Sequence, residues 1–198
     1  MPVPASAEPQ SCTTKADLPA RVSIDREWQV VDVPLVDTCA PEYAAFDIYG
    51  PDGFDDFLEY FPQDDETVSS WLVLGEMPPG VYRTRDGETS ESVYDSTVLK
   101  YGSRARLTAK RSGTTVQLTA CATQYNGMRD AFVAWAGHRV TVQKLDGDGR
   151  SWQYLATTTT GRGGCVDVPT RSPGRASFRV TTWETPKVFS RTSPAVTA

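Results

Sequence analysis

The sequence predicts an all-β protein made of two consecutive antiparallel β-sandwich domains, each with one disulfide. Two features of the 198-residue chain support this prediction. Short runs in which polar and apolar residues alternate are separated by turn residues about every ten positions. In addition, no stretch keeps a helical apolar period over three turns, and proline and glycine recur too often for long helices.

The N-terminal half contains six candidate strands. They are "ARVSID", "WQVVDVPLV", "YAAFDIYG", "DFLEYF", "SSWLVLG" and "GVYRTR". We place the join between domains near "DSTVLKYGSR", where an acidic half gives way to a basic one. The expected organisation is a flexible segment over residues 1–19, an acidic domain over 20–97 and a basic domain over 98–198.

The C-terminal half contains two candidate hairpins and two further strands. In "RLTAKRSGTTVQLTACAT", alternation puts Val116, Leu118, Ala120 and Ala122 on one face of a strand and Cys121 on the other. In "HRVTVQKLDGDGRSWQYLATTTT", the turn falls at "DGDG". The strands that follow are "CVDVPT" and "ASFRVTTWE".

The glycine-rich stretch "TTTTGRGGC" is interpreted as a turn between two strands. A phosphate-binding loop needs a helix after it, because the helix N-terminus supplies aimed N–H groups. Here Val166, Val168 and Pro169 follow and argue against a helix. Neither of the two common glycine-rich nucleotide-binding patterns is present in the sequence.

The four cysteines predict two disulfides in an oxidising compartment. No C-x-x-C pair is present, so the main sequence motif of zinc-ribbon and thioredoxin-type sites is absent. We expect Cys12 to pair with Cys39, and Cys121 with Cys165, because each pair lies within one predicted domain. For the second pair we expect Cys165 to meet Cys121 on a facing strand, as an inter-sheet disulfide.

Residues 97 to 198 resemble Ig-like modules of secreted proteins from high-GC Gram-positive bacteria. The resemblance rests on the ordered set "YGSRARLTAKRSGTTVQLTACATQY", "FVAWAGHRVTVQK", "SWQYLATTTTGRGGCVDV" and "FSRTSPAVTA". It implies an Ig-like fold and an extracellular or cell-surface location, and such modules carry no catalytic residues to transfer. The Cys121/Cys165 pair departs from the simplest pattern of these modules. The N-terminal half is Ig-like on strand pattern alone.

A second indication of secretion is the A-x-A pattern formed by Ala5, Ser6 and Ala7. This pattern is typical of the end of a signal peptide, so residues 1–19 are expected to retain the remnant of one. The alternative is a flexible terminus rich in proline and alanine.

Catalysis is not expected. His138 is the only histidine, and in "WAGHRVTV" it is expected to enter a strand in contact with solvent rather than to serve a Ser-His-Asp triad. An alternative is a pair of carboxylates for glycoside hydrolysis, although no acidic residues of the sequence lie in a recognisable motif for that reaction. The five tryptophans include residues that a sandwich core buries, and an exposed pair for sugar stacking is the alternative.

The acidic stretch "GPDGFDDFLEYFPQDDE" is the one candidate metal site. Its carboxylates Asp52, Asp55, Asp56, Asp64 and Asp65 could supply the oxygen ligands that calcium prefers, although solvated turns explain them as well. "LDGDG" looks like a fragment of a calcium loop and is interpreted as a tight hairpin turn. No cofactor other than a possible calcium ion is expected.

The function predicted is that of a secreted, non-catalytic binding or adhesion protein acting on an extracellular protein or a cell-envelope polymer. One rival is a secreted protease inhibitor that presents a rigid loop containing Met77, Pro78 and Pro79. Another is a structural subunit of an extracellular assembly. No nucleic acid and no membrane span are expected.

Charge separates the two halves of the chain. Residues 1–98 hold 20 acidic and 5 basic residues, and residues 99–198 hold 5 acidic and 15 basic ones, so the formal charges are −15 and +10. This bipolar distribution predicts either docking between the halves or head-to-tail self-association. Alternatively, Arg171, Arg175 and Arg179 could bind a polyanion.

Overall fold

The computed structural model describes residues 12–39, 41–86 and 93–198. Its regular structure is almost entirely β-strand, as the sequence predicts, with short 3₁₀ turns at Pro62–Asp64 and Gly127–Arg129. The candidate signal-peptide remnant at Ala5–Ala7 lies outside the described residues. Within the described ranges, no helix has the length and apolar character that crossing a bilayer would demand.

The strands of the described residues are numbered in chain order. They are β1 (Thr14–Ala16), β2 (Arg21–Ile24), β3 (Trp28–Asp37), β4 (Ala44–Gly50), β5 (Gly53–Tyr60), β6 (Val68–Leu74), β7 (Gly80–Asp86), β8 (Ser96–Tyr101), β9 (Ser103–Ser112), β10 (Thr115–Asn126), β11 (Ala131–Ala134), β12 (Arg139–Leu145), β13 (Trp152–Thr159), β14 (Cys165–Arg171), β15 (Ser177–Thr182) and β16 (Val196–Thr197). All six strands proposed for the N-terminal half are present, as β2 to β7.

Contacts between residues divide the chain into two compact units. The described part of the first unit covers residues 12–20, 30–39, 41–72, 81–86 and 93–98, and the second unit covers 21–29, 73–80 and 99–198. The second unit therefore takes two short segments from the N-terminal half. The division into domains at residue 97 stays a prediction.

The first unit contains two groups of paired strands. One group has the order β1-β3-β6, and the other runs β8-β7-β4-β5. Trp71, Tyr60, Tyr82 and Phe46 are fully buried among their side chains. The Tyr60 hydroxyl donates to the backbone oxygen of Val33 at 3.1 Å, so this buried polar group has a partner.

The second unit contains two sheets that share one hydrophobic core. In one sheet β10 pairs with β9, β11 and β14, and the other has the order β13-β12-β15-β16. The predicted common face of Val116, Leu118, Ala120 and Ala122 on β10 is confirmed, because all four are buried. They pack with Val140, Val142, Phe178 and Val180 of the second sheet. Burial of these side chains is the main source of stability for the unit.

The two predicted disulfides are present as Cys12–Cys39 and Cys121–Cys165. The expectation that the second one joins two sheets is wrong. Cys121 and Cys165 are direct partners in the antiparallel pair β10–β14, so the bond connects neighbouring strands of one sheet. Alternation explains the difference, since the buried residues of β10 leave Cys121 on the opposite face, away from the core.

The structure shows where the glycine-rich stretch and the segment at the proposed domain join lie. The glycine-rich stretch is a turn between β13 and β14, and no helix follows it. Gly164 there has a φ of +74°, a conformation that favours glycine. The segment "DSTVLKYGSR", assigned to the join between domains, forms strand β8 and buries Thr97 and Leu99.

Candidate anion-binding pocket

A cavity of about 350 Å³ opens within the second unit. Its volume lies at the low end of the roughly 300–1,000 Å³ typical of ligand pockets. The wall residues come from four separate segments: β2 with the residues after it, the junction of β8 and β9, β11, and the C-terminal segment before β16. We call this cavity the Arg–Phe pocket, because Arg21, Arg104, Arg191, Phe132 and Phe189 line it.

Two of the guanidinium groups lie over phenyl rings. The Arg104 guanidinium is 3.6 Å from the centroid of Phe132, and that of Arg21 is 4.2 Å from the centroid of Phe189. Such cation–π contacts hold a guanidinium in place while its N–H groups stay directed outward. Arg21 and Arg104 are therefore oriented donors rather than loose side chains.

The charges of the pocket are unevenly compensated. Arg21 Nη2 donates to Glu184 Oε2 at 2.9 Å, and Lys100 Nζ donates to Glu184 Oε1 at 2.7 Å. The hydrogen bond from Lys100 holds the pKa of Glu184 below its ordinary value. Within the described part of the chain, Arg104 and Arg191 form no ion pair with a carboxylate. Arg104 and Arg191 are thus not neutralised by a salt bridge, since the Asp25 carboxylate that also lines the pocket pairs with Arg26.

Backbone contacts fix the walls. Gly102 N donates to Ile24 O at 2.7 Å, and Tyr125 N donates to Gly102 O at 2.9 Å. The Ser103 hydroxyl donates to Phe189 O at 2.6 Å. A Cβ atom at Gly102 would lie 3.0 Å from Ser23 Oγ and 3.3 Å from Ile24 O, so glycine permits the close approach of these segments. The pocket is consequently built before any ligand arrives.

The three arginines proposed for polyanion binding are not brought together in one sheet. Arg171 ends β14 and Arg175 lies in the following loop, both exposed. Arg179 on β15 has its guanidinium 4.3 Å from the Trp152 ring centroid and donates from Nε to Gln143 Oε1 at 2.8 Å. β14 and β15 belong to different sheets. Their role in binding stays a prediction.

The carboxylates of the acidic stretch are distributed over a turn, a strand and a 3₁₀ turn. Asp52 lies in the turn between β4 and β5, and Asp64 and Asp65 lie at the 3₁₀ turn. Asp55 accepts from Trp71 Nε1 at 2.8 Å, and Asp56 accepts from the Leu72 backbone N–H at 3.1 Å. Burial raises the pKa of Asp55, while the bond from Trp71 opposes this shift. Among the described residues, no three His, Cys, Asp or Glu side chains are grouped to hold a metal ion.

The expectation that His138 is solvent-exposed is wrong. The side chain is 7 % exposed, and its ring stacks on Trp135 with the planes 10° apart. Gly137, with a φ of +69°, turns the chain so that the imidazole folds back onto the indole. Burial lowers the pKa of His138, and a hydrogen bond with the Trp183 backbone acts in the opposite direction. This is the environment of a packed core histidine rather than of a general base beside a serine.

The candidate inhibitor loop does not present its methionine. Met77 is buried, with 6 % of its surface exposed, and its sulfur accepts from the Leu74 backbone N–H at 3.0 Å. A specificity residue must enter the cleft of an enzyme, so Met77 could take that role only after leaving its buried position, and the inhibitor loop stays a prediction. Pro78 and Pro79 are half-buried.

Two tryptophans lie in the core and two are exposed at the surface. Trp71 and Trp135 are buried, whereas Trp28 and Trp183 are 59 % and 43 % exposed. The Arg139 guanidinium covers one face of Trp183 at 4.0 Å from the ring centroid.

The Arg–Phe pocket is not predicted from the sequence. Its residues are up to 170 positions apart in the chain, from Arg21 to Arg191, and belong to no local motif. The excess of arginine over acidic residues in the C-terminal half is the one sequence signal that points toward it.

No family model matches this chain, and no curated protein matches it either. Among solved structures, a bovine butyrophilin is similar with a TM-score of 0.41 and 10% identity over 94% of this chain and 97% of that one. A tetra-tandem repeat from the extending region of a large adhesion protein is similar with a TM-score of 0.32 and 13% identity. The match covers 94% of this chain and 48% of the chain of that repeat. A β-glycosidase from Bacteroides vulgatus has a TM-score of 0.30 and 11% identity, covering 96% of this chain.

The chain spans 25% of the length of that β-glycosidase and 48% of the adhesion repeat. At identities and TM-scores this low, the likenesses carry no argument about family or function.

Proposed function

We propose that this chain is a secreted, non-catalytic binding protein with Ig-like sandwich domains, and that the Arg–Phe pocket binds an anionic group of an extracellular macromolecule. The observation that carries the proposal is the pair Arg104 and Arg191, which line a preformed cavity and have no carboxylate partner in the described part of the chain. An oxyanion that accepts hydrogen bonds from both guanidinium groups would supply the missing charge.

Three further features support binding over the alternatives. The two disulfides suit an oxidising, extracellular compartment. The phenyl rings of Phe132 and Phe189 hold the guanidinium groups of Arg104 and Arg21 in place. The buried position of Met77 weakens the inhibitor hypothesis, since the methionine expected to enter the enzyme's specificity pocket is not at the surface.

The proposal is tested by binding of the full chain to three immobilised polyanions: dextran sulfate, polygalacturonate and polyglutamate, with neutral dextran as the reference. The variant R104A/R191A should lose about tenfold or more in affinity for whichever polyanion binds, because each charge-assisted hydrogen bond contributes about 1.5–3 kcal/mol. The matched control is R106A/R162A, which removes two exposed arginines of the same unit outside the pocket.

Equal loss in both double variants would assign the binding to general surface charge and would reject the pocket. Retention of full affinity by R104A/R191A would reject it as well. Both variants are expected to fold, since the four substituted side chains are exposed.

A further inference from the structure

A carboxylate lies in the same pocket as the three arginines. Asp25 lines the cavity, and its Oδ1 accepts from Arg26 Nε at 2.8 Å. A carboxylate has about four acceptor sites, so this bond leaves Asp25 able to accept from a ligand. A pocket for a densely charged anion alone would gain nothing from Asp25, because like charges repel.

Hydroxyl and phenyl groups complete the lining. Ser23 and Ser190 are exposed wall residues whose hydroxyls can both donate and accept. The Phe132 ring is half-buried and is stacked on Arg104, which fixes its orientation. The pocket therefore offers a cationic part, an acidic acceptor, hydroxyls and a fixed aromatic edge within one cavity of about 350 Å³.

We infer that the ligand group is a uronic acid residue of an acidic polysaccharide, an inference that rests on the proposed function. Such a residue has one carboxylate for Arg104 and Arg191 and several hydroxyl donors for Asp25. Its C–H groups can contact the half-buried ring of Phe132. A sulfate polymer brings more negative charge toward Asp25, and a glutamate side chain brings a carboxylate without hydroxyl donors. The cavity volume fits one small unit of a chain rather than a long stretch of it.

The test compares four soluble probes by calorimetric titration of the full chain: tetragalacturonate, a dextran sulfate oligosaccharide, triglutamate and neutral maltotetraose. Tetragalacturonate should bind at least about tenfold more tightly than each of the others. The variant D25N should weaken tetragalacturonate binding and strengthen dextran sulfate binding, because it removes a negative charge and a strong acceptor together. R106A/R162A serves as the control and should leave the ranking unchanged.

The outcomes separate the two proposals. If dextran sulfate or triglutamate binds as tightly as tetragalacturonate, and R104A/R191A abolishes that binding, the uronate inference is overturned and anion binding in the pocket stands. If D25N changes the affinity for both charged saccharides in the same direction, the inference is overturned again. If no anionic probe binds, or if R104A/R191A leaves binding intact, both proposals fall.

Discussion

At the scale of single residues, the backbone of Gly164 lies against the strands that flank the core of the second unit. A Cβ atom there would be 2.7 Å from Ala122 O and 3.0 Å from Trp135 N, and the φ of +74° disfavours any other residue. We expect Gly164→Ala to lower the free energy of unfolding by about 1–3 kcal/mol. The adjacent Gly163→Ala should change it by less than about 0.5 kcal/mol, because nothing lies within 4 Å of a Cβ there.

Urea unfolding of both variants measures this difference. A similar stability for Gly164→Ala and Gly163→Ala would show that the turn does not depend on the conformation at Gly164. The glycine-rich stretch would then need another explanation.

His138 predicts a pH dependence of stability. Burial lowers its pKa in the folded chain below the ordinary value, so the unfolded chain binds the proton more readily. The stabilising contribution is present above the unfolded pKa, about 6.5, and is lost as the pH falls below it. We expect His138→Gln to reduce the loss of stability between pH 7.5 and 5.

Denaturant unfolding of the wild type and of His138→Gln at several pH values measures this contribution. The carboxylates titrate in both proteins, so the difference between the two curves isolates the histidine. If the free energies of unfolding of the two proteins change in parallel between pH 7.5 and 5, the pKa of His138 is not lowered in the folded chain.

At the scale of elements, strand β8 gives the clearest test of the fold. Leu99 is fully buried, whereas Ser96 at the start of the same strand is exposed. We expect Leu99→Ala to cost about 2–5 kcal/mol of stability, as truncation in a packed core does. Ser96→Ala should cost less than about 0.5 kcal/mol. If unfolding experiments give Leu99→Ala a cost as small as that of Ser96→Ala, the segment is an exposed connection and not a core strand.

The strands with strong alternation could be predicted from the sequence. Those that were missed have weaker signals. β8 buries the polar residue Thr97, and its apolar Val98 and Leu99 are adjacent instead of alternating. β1 has three residues, which is too short for a periodic pattern.

Tertiary contacts explain the remaining differences. The burial of His138 depends on the ring of Trp135, and the in-sheet position of Cys165 depends on its register with Cys121. The Arg–Phe pocket depends on the meeting of four distant segments, and no local pattern encodes such a meeting.

At the scale of the whole molecule, the charge split between residues 1–98 and 99–198 predicts salt-sensitive self-association. Expressing these halves separately would not test it, because a cut at residue 98 divides β8 and removes residues 21–29 and 73–80 from the second unit. The full chain is the better sample. We expect light scattering to give a larger mean mass at 0.01 M salt than at 1 M, where the Debye length falls from about 30 Å to about 3 Å.

A constant mass of one chain at every salt concentration would contradict self-association by charge. Docking between the halves of one chain and a polyanionic partner, as in the proposed function, would then be the two remaining explanations of the charge split.

The most direct test of that function locates the ligand on the molecule. Backbone amide shifts of the full chain would be followed by NMR during separate titrations with tetragalacturonate and with a dextran sulfate oligosaccharide. The account predicts that at least one probe produces saturable shifts concentrated at Gly102, Ser103, Phe132 and Ser190, which line the Arg–Phe pocket. Shifts concentrated at Arg171, Arg175 and Arg179, or no saturable shifts with either probe, would contradict it.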